Sequence, residues 1–138
     1  MYWLDASEVA LLHQIALEES TSENSDPDPP PALEEAVRRP HMYYNYRGVR
    51  DPHRLAAIYL VAIAKAHAFG DGNKRTALLA ADTFLAENGI HFDMQYPSSD
   101  KVVAFLQGVA EHGARELGDA NSPLSLNEVT AWIEERSS

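Results

Sequence analysis

The 138-residue chain contains no cysteine. Disulfides, thiolate metal sites and a cysteine nucleophile are thereby excluded together, and any chemistry must rest on imidazole, carboxylate, amine, guanidinium or hydroxyl groups. No stretch approaches the ~20 uncharged apolar residues that span a bilayer. The opening residues, MYWLDASEV, carry neither a basic start nor a long apolar run, so a cytoplasmic location and no membrane partner are expected. A positive excess is missing too: 11 basic against 21 acidic residues give a net charge of −10. That balance argues against a protein that grips nucleic acid by neutralising phosphates, and no direct nucleic-acid contact is expected.

Apolar residues, by contrast, make up 45% of the chain and recur from Trp3 to Ile133 with one long interruption, enough to close a single core. The length fits one domain covering residues 1–138. Charge is distributed unevenly. Between Ala36 and Thr76 stand eight basic residues, Arg38, Arg39, Arg47, Arg50, Arg54, Lys65, Lys74 and Arg75, against Asp51 and Asp71, a local +6 that leaves −16 for the rest. Such a field suits a phosphate-bearing ligand, and it also suits a solvated helix face.

Hydrophobic spacing predicts an all-α bundle of about six helices. Asp5 and Glu8 form a capping box before a first helix over about 6–19. Residues 20–31 (STSENSDPDPPP), with four prolines, read as an exposed loop, and a short helix follows over about 31–39. His41 to Val49 (HMYYNYRGV) is aromatic without a helical period and is expected to form a short extended flap. Asp51-Pro52 resembles an N-cap with proline at the first helical position, opening a helix to about Ala68. Another helix runs from near Asn73 to the stop at Asn88-Gly89. Ile90 to Phe92 is too short to seed a sheet. Ser98 or Ser99 is placed to cap a further helix, and Ser125 with Glu128 caps the last.

Between the two central helices lies His67-Ala68-Phe69-Gly70-Asp71-Gly72-Asn73-Lys74-Arg75-Thr76. Unpaired N–H groups at the start of the second helix, aided by its dipole, can form an anion nest at Gly72 and Asn73 that Lys74 and Arg75 reinforce. Glycine lets a phosphate oxygen approach the backbone with no Cβ in the way. The spacing fits neither a Walker A loop nor a GxGxxG turn. Asp71 offers one carboxylate to Mg²⁺ if a nucleotide supplies further oxygens. His67 can take a proton from an attacking hydroxyl, and Phe69 is expected to point inward and anchor the loop. Each residue alone also has an ordinary structural use, as a cap, a loop residue or a solvated cation.

The stretch HxFxDGNKRT resembles the signature of the Fic/Doc family, and its KRTAL continuation is similar to the Doc branch, the death-on-curing toxins of toxin–antitoxin modules. AAIYLVAIAKA at 56–66, FLAENGI at 84–90 and the opening LDASEVALLH extend the likeness over about residues 3–92. The resemblance implies a compact all-α Fic fold and transfer of a phosphate-containing group from ATP to a protein hydroxyl. His67 is then the general base, Asp71 the Mg²⁺ ligand, Gly70, Gly72 and Asn73 the nucleotide-binding loop, and Lys74 and Arg75 the phosphate contacts and catalytic cations.

Lysine rather than glycine at position 74 implies transfer of the γ-phosphate, the family target being a threonine of elongation factor Tu, with translation arrested. AMP transfer of the Fic kind and an inactive binding module are the alternatives. In this likeness 41–49 holds the target segment, while Gly72 stands where Doc proteins often carry alanine. Thr83 to Asn88 fits the inhibitory pattern [ST]xxxE[GN], yet it lies some 14 residues along the helix from the anion nest, about 20 Å at ~1.5 Å per residue. Inhibition is therefore expected from a separate cognate antitoxin.

Overall fold

Ten consecutive side chains, Leu55 to Ala64, are buried, as in a helix enclosed on every side. They belong to α3 (Pro52–Ala66). The Asp51 carboxylate starts this helix by accepting the His53 N–H at 3.1 Å, with Pro52 in the first turn. The computed structural model describes residues 1–16, 29–69, 72–93 and 100–138. Among these, five further α-helices surround α3: α1 (Ala6–Ala16), α2 (Pro31–Arg47), α4 (Asn73–Glu87), α5 (Asp100–His112) and α6 (Leu126–Glu135). A 3-10 turn at Arg115–Leu117 is an addition to the six helices expected. α2, α4, α5 and α6 pack on α3, and α1 lies on α4.

Fully buried alanines, Ala56 and Ala57 on α3 and Ala77, Ala80 and Ala81 on α4, keep both helices slender. Aromatic rings fill the space beside them, with Tyr59 and Phe84 centroids 5.0 Å apart and Trp3 5.8 Å from Phe84. The buried Tyr59 hydroxyl accepts the Leu4 N–H at 3.0 Å and donates to the Leu4 carbonyl at 3.4 Å, pinning the N-terminal segment to α3. Burial pushes the Tyr59 pKa up to about 12.

The region expected to be a short helix and an extended flap is instead one helix, α2, running from Pro31 to Arg47. Leu33, Ala36, Val37 and Pro40 are buried along it, and the half-buried Tyr43 and Tyr44 continue the same stripe at helical spacing. His41 stacks on Trp3 at 4.5 Å, and Tyr44 meets the same indole edge-on at 5.2 Å. Packing against the N-terminal segment thus outweighs the extended preference of the aromatic run and the hydrogen bond that Pro40 cannot give. The helix stops at Gly48, whose φ of 68° allows its N–H to reach the Tyr43 carbonyl.

The remaining boundaries depart less. α1 is observed to Ala16, and α3 ends two residues before the expected Ala68. The loop expected over 20–31 falls mostly on residues 17–28, and the caps expected at Ser98 or Ser99 on 94–99, both outside the described residues; Pro30 is the extended N-cap of α2. Phe92 makes an isolated antiparallel bridge with Ser137 and seeds no sheet. The capping box before α6 is present, Ser125 Oγ accepting the Glu128 N–H at 3.1 Å and Glu128 Oε1 accepting the Ser125 N–H at 2.9 Å. Glu116 adds a second acceptor at the same helix end, taking the Leu126 N–H at 2.7 Å. That bond, with Arg115 and Arg54 nearby, holds its carboxyl below the usual range.

Candidate active site

α3 and α4 meet around the 67–76 loop. His67 is the C-cap of α3, with φ 47° and ψ 43°, and among the described residues it alone has a positive φ without being glycine. That left-handed conformation is strained for a residue with a side chain, and His67 is exposed. Gly72 is the N-cap of α4 with φ 80°, a conformation suited to glycine. Gly72 itself has no side chain to cap α4, whose first-turn N–H groups find no acceptor within the helix and carry the positive end of its dipole. Gly70 and Asp71 lie outside the described residues.

Asn73, first residue of α4, clamps the loop with its side-chain amide. Oδ1 accepts the Phe69 N–H at 3.0 Å, and Nδ2 donates to the Phe69 carbonyl at 2.7 Å. Phe69 is partly buried against the core, as expected, with its ring stacked on His13 of α1. Lys74 and Arg75 are half-buried rather than fully solvated. Arg75 reaches back to α1, where Nη1 donates to the Ala16 carbonyl at 2.6 Å, a cation placed at a helix C-terminus. Thr76 is fully buried and its hydroxyl oxygen has no hydrogen-bond partner.

Several of the positively charged residues of 36–76 rest against neutral partners. Arg50 lies 3.9 Å over the Tyr44 ring, Arg47 5.4 Å over Tyr43, and Arg54 is bonded to Asn127. A groove of about 360 Å³ opens beside the last turn of α3, lined by Glu35, Arg39, Lys65, Ala66, Leu117 and Asp119. Its two cations are engaged, Lys65 with Asp119 at 3.6 Å and Arg39 with the Leu117 carbonyl at 3.4 Å. No helix among the described residues is long and apolar enough to cross a membrane.

The motif's helix-loop-helix setting is therefore as expected, with His67, Gly72, Asn73, Lys74 and Arg75 gathered where the two central helices meet. The part played by α1 was not legible. His13 and the Ala16 carbonyl brace the loop from the side, and nothing in their local sequence marks them for it. The Arg75 contact narrows its expected role, since one guanidinium nitrogen already holds α1.

A model of the Fic/DOC family matches residues 3–85, which takes in α1 to α3, the whole loop and α4 as far as Leu85. The protein kinase doc of Escherichia phage P1 is 41% identical over 61 residues, covering 44% of this chain and 48% of that protein. The match thus spans about half the length of this relative. With the family match over most of the chain and the helix ends arranged around HxFxDGNKRT, the chain belongs to the Fic/DOC family.

Proposed function

We propose that the chain is a protein phosphotransferase of the Doc kind, a cytoplasmic toxin that moves the γ-phosphate of ATP to a hydroxyl of a translation factor. The observation that carries this reading is the junction itself: an exposed imidazole on the strained end of α3, followed by the glycine-started end of α4 with Lys74 in its first turn. His67 accepts the proton of the target hydroxyl as its oxygen bonds to the γ-phosphorus. The bond from that phosphorus to its bridging oxygen breaks, and ADP leaves. Gly72, Asn73 and the α4 N-terminus hold the phosphate oxygens while Lys74 and Arg75 balance their charge.

A phosphate suits the start of α4, because Gly72 places no Cβ there and offers no capping side chain of its own. One carboxylate, Asp71, suits Mg²⁺, which takes one or two from a protein and completes its shell with phosphate oxygens and water. Asp71 would hold the ion, whose charge offsets that of the phosphates. A threonine of elongation factor Tu is the substrate proposed from the family. Gly72 also leaves room for the other donor orientation, so AMP transfer is the second reading.

A cognate antitoxin is the proposed regulator. α2 and the N-terminal segment enclose an apolar groove of about 470 Å³ lined by Trp3, Val37, Arg38, His41, Met42 and Tyr46. Tyr46 is 80% exposed. An amphipathic segment that folds on binding matches that surface in apolar and aromatic area, Arg38 and Asp5 both lining it. Mass spectrometry of elongation factor Tu incubated with the protein and Mg·ATP tests the activity. A gain of one phosphate is expected, a gain of AMP selects the second reading, and no change with folded protein and intact factor counts against both.

A further inference from the structure

We infer that Asp51, His53 and Glu134 form a binding site for one divalent transition-metal ion of the zinc class, joining the start of α3 to the end of α6. One donor atom from each residue lies within 4.8 Å of the others. His53 Nδ1 and Asp51 Oδ1 are 3.3 Å apart. That contact is a hydrogen-bonded pair, and its length also equals the ~3.3–3.4 Å ligand-to-ligand edge that tetrahedral bonds of about 2.0–2.1 Å give, so an ion would take the place of the proton between them. Glu134 is exposed, and rotation of its side chain brings the third donor in.

The backbone fixes the first two ligands. Asp51 is the N-cap of α3 and His53 gives it a main-chain N–H, which holds the Asp-x-His pair on one side of the helix start. α3 and α6 are packed together, and Arg54 Nη1 reaches Asn127 Oδ1 on α6 at 2.6 Å, so the third ligand is carried on a helix already docked.

Charge and donor type agree with this assignment. Two carboxylates and a neutral imidazole carry −2, the charge that a divalent ion cancels. An imidazole among three ligands favours zinc-class ions over Mg²⁺, which prefers an all-oxygen octahedron. The fourth position is open to water. The site is also remote from the 67–76 loop, because the 15 residues of α3 at ~1.5 Å each put its two ends about 22 Å apart. It therefore stands apart from the proposed phosphotransfer chemistry.

Calorimetric titration of the full chain with Zn²⁺, in buffer containing excess Mg²⁺, tests the site. One equivalent should bind, and the melting temperature should rise with Zn²⁺ concentration. Glu134→Gln and His53→Gln should each weaken binding at least ~tenfold. Both variants should fold, since Glu134 is exposed and the α3 cap uses the main-chain N–H at position 53. His112→Gln, which removes an imidazole lying 3.6 Å from Glu111, should leave binding unchanged. Absence of binding, undiminished affinity in either of the first two variants, or loss in His112→Gln overturns the assignment.

Discussion

The imidazole of His13 lies flat on the ring of Phe69, centroids 3.7 Å apart and planes 7° from parallel. Phe69 is held on its main-chain side by the Asn73 amide, so the loop is fixed between α1 and α4. His13→Ala should remove roughly 0.5–1.5 kcal/mol of stacking and speed hydrogen exchange at the Phe69 amide. His13→Phe should keep that exchange slow. Equal exchange in all three proteins would show that the stack does not brace the loop.

His67 combines the strained backbone with the proposed base, and substitutions separate the two. Glycine relieves a left-handed conformation that costs other residues about 1–2 kcal/mol. His67→Gly should therefore melt higher than wild type while transferring phosphate some 10²–10⁴-fold more slowly. His67→Ala should lose the same activity without the gain in melting temperature. A folded His67→Ala protein with full activity and full toxicity removes the catalytic reading and favours a binding module.

Lys74 divides the two transfer readings. A charge-assisted contact from its ammonium to a phosphate oxygen contributes roughly 1.5–3 kcal/mol, and its side chain fills space that glycine would leave. Lys74→Gly should weaken incorporation of label from the γ-position of ATP and allow incorporation from the α-position. Wild-type protein that takes up only the α-label would establish AMP transfer instead.

Tyr59 links stability to high pH. Its pKa is raised from 10.0 to about 12 by burial, so the fold favours the protonated phenol. That contribution is fully present below pH 10 and is lost as pH rises through about 12. Denaturation midpoints should fall across this window. Tyr59→Phe should flatten the fall, yet at neutral pH it should be less stable by about 1–3 kcal/mol because the Leu4 N–H loses its acceptor.

Asp82 behaves in the same sense at the acid end. Burial raises its carboxyl pKa, with His91 opposing the shift in part. The fold thus prefers the protonated carboxyl, a contribution present below the ordinary aspartate value and lost as pH rises through the raised one. At pH 7 Asp82→Asn should raise the melting temperature, and the advantage should shrink on acidification. A lower melting temperature for the variant at pH 7 would mean that the charge on Asp82 is better compensated than burial and His91 imply.

The caps were legible in the sequence because a cap is local: Asp51 with Pro52, Ser125 with Glu128, and the stop at Asn88-Gly89 each work within one turn of helix. The same holds for the described parts of the loop, His67 to Phe69 and Gly72 to Thr76, which are close neighbours in the chain. Residues 41–47 show the opposite. Read alone, proline and tyrosines favour extended chain, but Trp3, distant in sequence, supplies the surface on which His41 and Tyr44 pack as helix.

By itself the sequence determined the helical periodicity and the local caps, since these follow from spacing and side-chain type over a few residues, but not the end of α2, which packing carried through the expected flap to Arg47. The tertiary structure alone decided that His13 and the Ala16 carbonyl brace that loop, that Tyr59 fastens Leu4, and that Glu134 comes beside Asp51 and His53. Each of those pairs is separated by intervening helices. Only the shared burial of α1, α2, α4 and α6 around α3 and α4 brings them within reach of a hydrogen bond or a ring contact.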